Sequence, residues 1–340
     1  MTETSHWTEP GAHRVAPGIY RLPLPLPLDG LRAVNVYVLE SDDGLVLVDG
    51  GWAIEESRRQ LESSLASIGH RVGDITRFLV THVHRDHYTQ AAVVRQEFGS
   101  HVTLGIGDKP TLDVIHDPPA EDSTVVHLRR CGAAALGVEW ESMVQSSRAD
   151  LSMWGYPDAW LTEDVPLDVA GRRLDAIATP GHTQGHFVFA DVADGLLFAG
   201  DHVLPTITPS VGFEPVYAEL PLGDFLASLV KVRGLPDMML LPAHGPVTES
   251  SHARIDELLV HHDQRLQLCL DAVASGLDTA YDVAEVLPWT RHERKLRDLD
   301  VFNASLATME TGAHLDLLAA RGRVLRSEAD GVFHYAPLPT

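Results

Sequence analysis

The run Thr81-His82-Val83-His84-Arg85-Asp86-His87 crowds imidazoles and a carboxylate into one short stretch, directly after the apolar segment Ile75–Val80. In extended backbone, side chains two residues apart point the same way, so His82 and His84 can share one metal ion. Asp86 and His87 follow where the chain turns toward a helix, and they can reach a second ion beside the first. A polar loop needs no such concentration of a rare residue type. Three further clusters repeat the grammar: Thr179-Pro180-Gly181-His182-Thr183, Phe198-Ala199-Gly200-Asp201-His202 and Pro242-Ala243-His244-Gly245-Pro246. Each sets a ligand type just past an apolar strand and leaves through glycine or proline. In α/β sheets, functional groups gather where strand ends open into loops. Imidazole and carboxylate donors suit two divalent ions, zinc first, with manganese or iron also compatible with the oxygen ligands.

The elements that must position these residues follow from periodicity and turn chemistry. Ile19–Pro27 and Ala33–Leu39 read as strands with Asp29-Gly30 turning between them, and Gly44–Val48 as a strand ending in Asp49-Gly50-Gly51. Ala53–Ile68 has helical spacing and stops at Gly69. Tyr88–Phe98 reads as the next helix and His101–Leu104 as the next strand. Later strands are Val165–Val169, Arg173–Ala178, His186–Ala190, Gly195–Phe198 and Met239–Leu241, with a helix over Leu222–Val232. Strand and helix alternate, so the class is α/β. Leu22–Leu28 alternates proline and leucine, which suits an extended edge segment. Residues 106–160, with Pro118-Pro119, Trp140, Trp154 and Trp160, are expected to form a helical insertion over one end of the sheet. Beyond Pro246 the pattern turns helical: Ile255–Ala274, Ala280–Val286 and Asn303–Ala320, then a hairpin at Arg323–Tyr335 around Asp330-Gly331. A catalytic domain over 1–246 and a small winged-helix-like domain over 247–340 are therefore expected.

Composition narrows the function classes. The 340 residues carry 26 Lys and Arg against 48 Asp and Glu, a net charge of −22. A nucleic-acid binder needs a basic stripe to neutralise phosphates, which this balance disfavours. No run of about 18 apolar residues marks a membrane span. Met1–Gly18 lacks the basic and apolar regions of a signal peptide, so the cytoplasm is the expected compartment. Cys131 and Cys269 are far apart without ligand spacing and are expected to be reduced thiols. The expected partner is a small-molecule substrate, and a homodimer is compatible with this reading.

The ligand clusters together resemble the signature of the metallo-β-lactamase superfamily: a His-x-His-x-Asp-His run, a later His, a bridging Asp and a last His. The resemblance spans about Ile19 to Pro246. It implies a four-layered α/β/β/α sandwich and a metal-dependent hydrolase. It further implies that His82, His84 and His182 bind one ion, Asp86, His87 and His244 the other, and Asp201 both, with Asp49 supporting the ligand loop. Where many members carry two glycines after the first motif, this chain has Tyr88, Thr89 and Gln90. Val260-His261-His262-Asp263-Gln264-Arg265-Leu266, Val283-Ala284-Glu285 and His314-Leu315 resemble the C-terminal winged-helix appendage of the lactamase-like ribonuclease and thioesterase branch.

A hydrolase of this kind uses a hydroxide bridging the ions, with Asp86 and Asp201 as the catalytic carboxylates. The superfamily cuts thioesters, lactones, β-lactams and phosphodiesters, and some members are di-iron redox proteins; the fold alone does not choose. The candidate recognition helix, Asn303–Ala320, carries Glu310 and Asp316 and no Lys or Arg. That is the reverse of a nucleic-acid reader. The expectation is a thioester, ester or lactone, with single-stranded RNA hydrolysis and di-iron redox chemistry as alternatives. Among the remaining histidines, His186 is either a support for a ligand or a plain strand residue. His202 either faces substrate or packs. His261 and His262 are expected to pack, as are Trp154, Trp160 and Tyr217.

Overall fold

The computed structural model describes residues 6–27, 30–144, 150–290 and 293–339, so the turn expected at Asp29-Gly30 lies partly outside the described residues. The chain forms two compact units. One comprises Met1–Leu112, Asp150–Pro209 and Ser228–Ile255; the other comprises Asp113–Ala149, Ser210–Ala227 and Asp256–Thr340.

The first unit contains two sheets. The seven-stranded sheet runs in the order β1 (His13–Ala16), β2 (Ile19–Pro25), β3 (Ala33–Ser41), β4 (Gly44–Val48), β5 (Ile75–Leu79), β6 (His101–Gly105) and β7 (Ala159–Leu161). Strands β1 to β4 pair antiparallel, and β4 to β7 pair parallel. Ala159 and Trp160, the last residues of the expected helical insertion, therefore belong with Leu161 to a strand, held by pairing with Thr103–Gly105. Pro23 and Pro25 are tolerated in β2 because β1 pairs only as far as Arg21. Beyond that point β2 is an edge, where a missing N–H leaves no gap in the ladder.

The five-stranded sheet runs β12 (Met239–Pro242), β11 (Leu196–Gly200), β10 (Phe187–Asp191), β9 (Arg172–Ala178) and β8 (Val165–Val169). Strand β10 is antiparallel to β9 and β11, and β12 is parallel to β11, so β9, β11 and β12 point one way. The two sheets face each other across one apolar layer. Tyr37, Leu39, Val48 and Leu79 come from one sheet, and Leu174, Phe187, Phe189 and Phe198 from the other. Tyr37 and Phe198 meet edge to face at 5.4 Å. Helix α1 (Glu55–Ser67) joins β4 to β5, and α2 (Arg85–Phe98) joins β5 to β6. These are βαβ crossovers with helices on the sheet's outer face, as a four-layered α/β/β/α sandwich requires.

The second unit is mainly helical. It contains α4 (Ser123–Arg130) and α5 (Ala134–Val144), which follow α3 (Lys109–His116) in the chain. The chain continues through α6 (Pro221–Arg233) and α7 (Ser251–Ala274) to α8 (Ala280–Val286) and α9 (Val301–Ala320), and ends in the hairpin β13 (Val324–Ala329) and β14 (Val332–Pro337). Asp122, Thr279 and Asp300 cap α4, α8 and α9 by accepting first-turn N–H groups. The Asp300 cap explains why α9 starts two residues before the expected Asn303. Trp140 of α5 packs with Phe213 and Phe302, and Gly312 of α9 lies against Cys131. That packing groups Asp113–Ala149 with the C-terminal helices, where sequence order suggested a contiguous division after Pro246. Tyr217 stacks on His127 at 3.6 Å and is a packing residue of this unit. Among the described residues no helix is long and apolar enough to cross a membrane.

Phe198 is fully buried between the sheets. Phe198→Ala should destabilise the protein by about 3–5 kcal/mol in urea unfolding, the range for emptying a phenylalanine site in a core.

Candidate metal centre

Strand direction gathers the site. The parallel strands β4, β5 and β6 all end on one edge of their sheet, which brings together Asp49, the Thr81–His87 run and Asp108. In the other sheet β9, β11 and β12 end alike, delivering His182, Asp201 and His244. Helix α2 begins at Arg85, earlier than the expected Tyr88, so Asp86 sits in its first turn. The N-terminal end of a helix favours a carboxylate.

All the ligand candidates converge. Nδ1 of His84 lies 3.0 Å from Nε2 of both His82 and His182. Nε2 of His87 lies 3.6 Å from Asp86 and 3.7 Å from Asp201, and Nε2 of His244 lies 3.4 Å from each of these carboxylates. Asp201 is also 3.5 Å from Nε2 of His182, so it stands between the two groups. Zinc bonds of about 2.0–2.1 Å in a tetrahedron put neighbouring donors about 3.3 Å apart, which these spacings bracket. His87 Nε2, His244 Nε2 and Asp201 Oδ1 are buried with no hydrogen-bond partner among the described residues. Orphaned buried atoms aimed at one another are costly unless something positive lies between them. The residues present therefore fit two divalent ions.

The outer hydrogen bonds fix which nitrogen each ring offers. Asp49 accepts from the Thr81 backbone N–H at 2.8 Å, from the Thr81 hydroxyl at 2.9 Å and from Nδ1 of His87 at 2.8 Å. With its proton given to Asp49, the Thr81 oxygen accepts from Nδ1 of His82 at 3.0 Å. Nδ1 of His244 donates to the Ala33 carbonyl at 2.8 Å. These partners take Nδ1 of His82, His87 and His244 and turn each Nε2 toward the centre, the arrangement metal-binding histidines use. Asp49 thus has the supporting place the resemblance implies.

Electrostatics divide the centre. Burial, then the neighbouring imidazoles, holds His82 well below its ordinary value and His84 at about 3. Burial would lower His87 too, but Asp49, Asp86 and Asp201 outweigh it and hold that ring at about 10. The same balance raises His244. Burial would raise Asp86 and Asp201, yet the surrounding imidazoles keep both below the usual carboxylate range. His82 and His84 are neutral and ready to ligate, while His87 and His244 form a proton-loaded cluster with Asp86 and Asp201.

Several supports were invisible in the sequence. Asp108 is wholly buried and accepts from the backbone N–H of Val83 at 2.8 Å and of Gly185 at 2.9 Å, tying the first histidine loop to the His182 loop. A Cβ on Gly185 would sit 2.3 Å from the Asp108 nitrogen, so only glycine allows that approach. Asn35 donates to the carbonyls of Pro242 and Gly245, both at 2.9 Å, and anchors the His244 loop. A lone aspartate after a strand and an asparagine inside one give no signal of this kind.

Of the undecided histidines, His186 is a support. Its Nε2 accepts from the Asp201 backbone N–H at 3.2 Å, and its Nδ1 meets the Thr179 hydroxyl at 2.8 Å. Gly200, with φ +51°, leaves room for it: a Cβ there would come within 2.7 Å of that Nε2. His202 is fully buried, and burial lowers it to about 3, so it does not face solvent. Trp154 stacks on Tyr88 at 6.5 Å, as expected of a packing residue.

Comparison with known proteins agrees with this geometry. The model of the metallo-beta-lactamase superfamily matches residues 29–244. The "Probable metallo-hydrolase YqjP" of Bacillus subtilis (strain 168) is 25% identical over 309 residues, 88% of this chain and 91% of its own. A beta-lactamase-like protein 2 homolog of Caenorhabditis elegans is 28% identical, over 76% of this chain and 73% of its own. A crystal structure of a metallo-beta-lactamase family protein from Thermus thermophilus superposes with a TM-score of 0.75 at 28% identity, covering 96% of this chain and all of that one.

The charge division predicts two different pH responses. An ion entering beside His87 must displace a proton held at about 10, so its affinity should fall at least about tenfold per unit as pH drops from 9 to 6. Binding beside His82 and His84, whose rings have no proton to displace there, should change much less over that range. Stepwise chelator competition at pH 6, 7 and 8 checks this, and equal slopes for both ions would refute it. His186→Ala, which leaves the Asp201 N–H buried and unpaired, should weaken metal binding about 10–100-fold in the same assay.

Proposed function

Because the chain belongs to the metallo-β-lactamase superfamily, and is a metal-dependent hydrolase, we propose that it cleaves a thioester, ester or lactone of a small molecule. Two divalent ions serve it, zinc in the first place. His82, His84 and His182 hold one, Asp86, His87 and His244 hold the other, and Asp201 lies between them. When bound, such ions acidify a water and polarise the attacked carbonyl. His84 and Asp86 are the partly exposed members of the cluster, so substrate approaches from their side. Asp86, kept ionised by its imidazole neighbours, accepts a hydrogen bond from the attacking water and orients it. Asp49, Asp108 and His186 keep the ligands in place while charge shifts among them.

One observation carries the choice of a small acyl substrate over RNA. Helix α9, the element that would read a nucleic acid, is buried along most of its length, from Ala304 to Leu318. Its charged residues are Glu310 and Asp316. A recognition helix needs an exposed face bearing Lys or Arg. This one is built to pack, and the winged-helix resemblance is read as a structural appendage.

The test is hydrolysis of a panel of acyl-CoA thioesters and lactones by the zinc-loaded protein. We expect turnover on at least one class, with kcat reduced about a hundredfold or more in Asp86→Asn, the scale of a lost proton-handling group. Cleavage of single-stranded RNA without acyl turnover would overturn the substrate assignment, and iron with no hydrolysis would overturn the hydrolytic reading of the centre.

A further inference from the structure

Within the second unit, helices α7 and α9 bring together a separate set of ligand types. One ring nitrogen of His261, one of His262 and one carboxylate oxygen of Glu310 lie within 4.8 Å of one another. A hydrogen-bond chain behind them fixes the protons. The Glu310 carbonyl can only accept, so Nδ1 of His314, 2.7 Å away, carries a proton and donates it. Burial keeps His314 neutral, which makes its Nε2 a bare lone pair. That Nε2 lies 3.2 Å from Nδ1 of His262, which must therefore be the donor. His262 is also kept neutral, by burial and then by His314 and His261. Its one ring proton is committed to Nδ1. Its Nε2 is left as a lone pair, in a fully buried ring, without a hydrogen-bond partner among the described residues.

A buried acceptor with nothing to accept is expensive. A ring whose other nitrogen is held by an outer partner is the usual state of a histidine ligand. Burial pushes the Glu310 carboxyl above its ordinary value, and Arg265 opposes that shift. Arg265 is itself engaged elsewhere: it donates to the Pro288 carbonyl at 2.9 Å and lies 4.2 Å over the Trp289 ring. His261 and Glu310 are half-buried, so the cluster opens toward solvent.

We propose that His261, His262 and Glu310 bind one divalent transition-metal ion, zinc above all, at a site separate from the metal centre of the first unit. Two imidazoles and one carboxylate are a sufficient protein donor set for zinc, with a fourth position left to water. His314 is the positioning residue that presents His262.

The test counts zinc bound to the full chain by equilibrium dialysis and atomic emission. The unsubstituted protein should hold one equivalent more than the centre of the first unit accounts for. Glu310→Gln and His261→Ala should each remove that equivalent, or weaken it at least about tenfold, with the metal-free melting curve and the hydrolytic activity unchanged. A chain with His84→Ala, His182→Ala and His244→Ala should still bind the extra ion, which separates this proposal from the reading of the catalytic centre. Zinc should also move the nitrogen-15 signal of His262 Nε2 in the unsubstituted chain. A Glu310→Gln protein that keeps every equivalent, or a His262 signal indifferent to zinc, overturns the proposal.

Discussion

The two oxygens of Asp49 are the reference point of the metal centre. One takes the backbone and hydroxyl of Thr81, and the other takes Nδ1 of His87. Through Thr81 the same carboxylate also sets the tautomer of His82. A buried carboxylate with so many charge-assisted partners is rigid, and two ligands assigned to different ions hang from it. Asp49 reaches this place with φ +63°, a backbone conformation that aspartate tolerates better than most residues, at the end of a strand buried from Leu45 to Val48.

The sandwich supplies what that anchor needs. Parallel strands direct loop after loop to one edge, and facing apolar layers hold the two sheets in register. The loops then lock to each other through polar groups: Asp108 across to Gly185, His186 to Asp201, Asn35 to the His244 loop. Each lock satisfies a backbone group that burial would otherwise leave unpaired. Such networks set the position of metal ligands and are strong only when complete.

The second unit uses the same physics differently. Its buried helix α9 carries a histidine, a glutamate and an aspartate in otherwise small and apolar surroundings. Asp316 is satisfied by Tyr335 and Arg326. The histidines instead donate in series, His262 to His314 and His314 to the Glu310 carbonyl, and Nε2 of His262 is left without a partner among the described residues. A buried polar chain that stops at an acceptor is a place for a ligand, whereas one that closes on itself is only structure.

The candidate ligands, the strands that carry them and the α/β class are legible in the sequence. Those features are local: two-residue alternation, apolar runs, and glycine or proline at strand ends leave their mark within a few positions. It also showed the prolines of β2 as an edge, because a missing N–H is a property of the residue. Which groups hold those side chains still is set by contacts between distant parts of the chain. Asn35 meets a carbonyl 210 residues away, and Asp108 meets one N–H 25 and another 77 residues away. Only the tertiary structure gathered Asp113–Ala149 with the C-terminal helices and brought Glu310 to His261 and His262. Such pairings are set by how sheets and helices close on one another, and no short-range pattern in the chain encodes that closure.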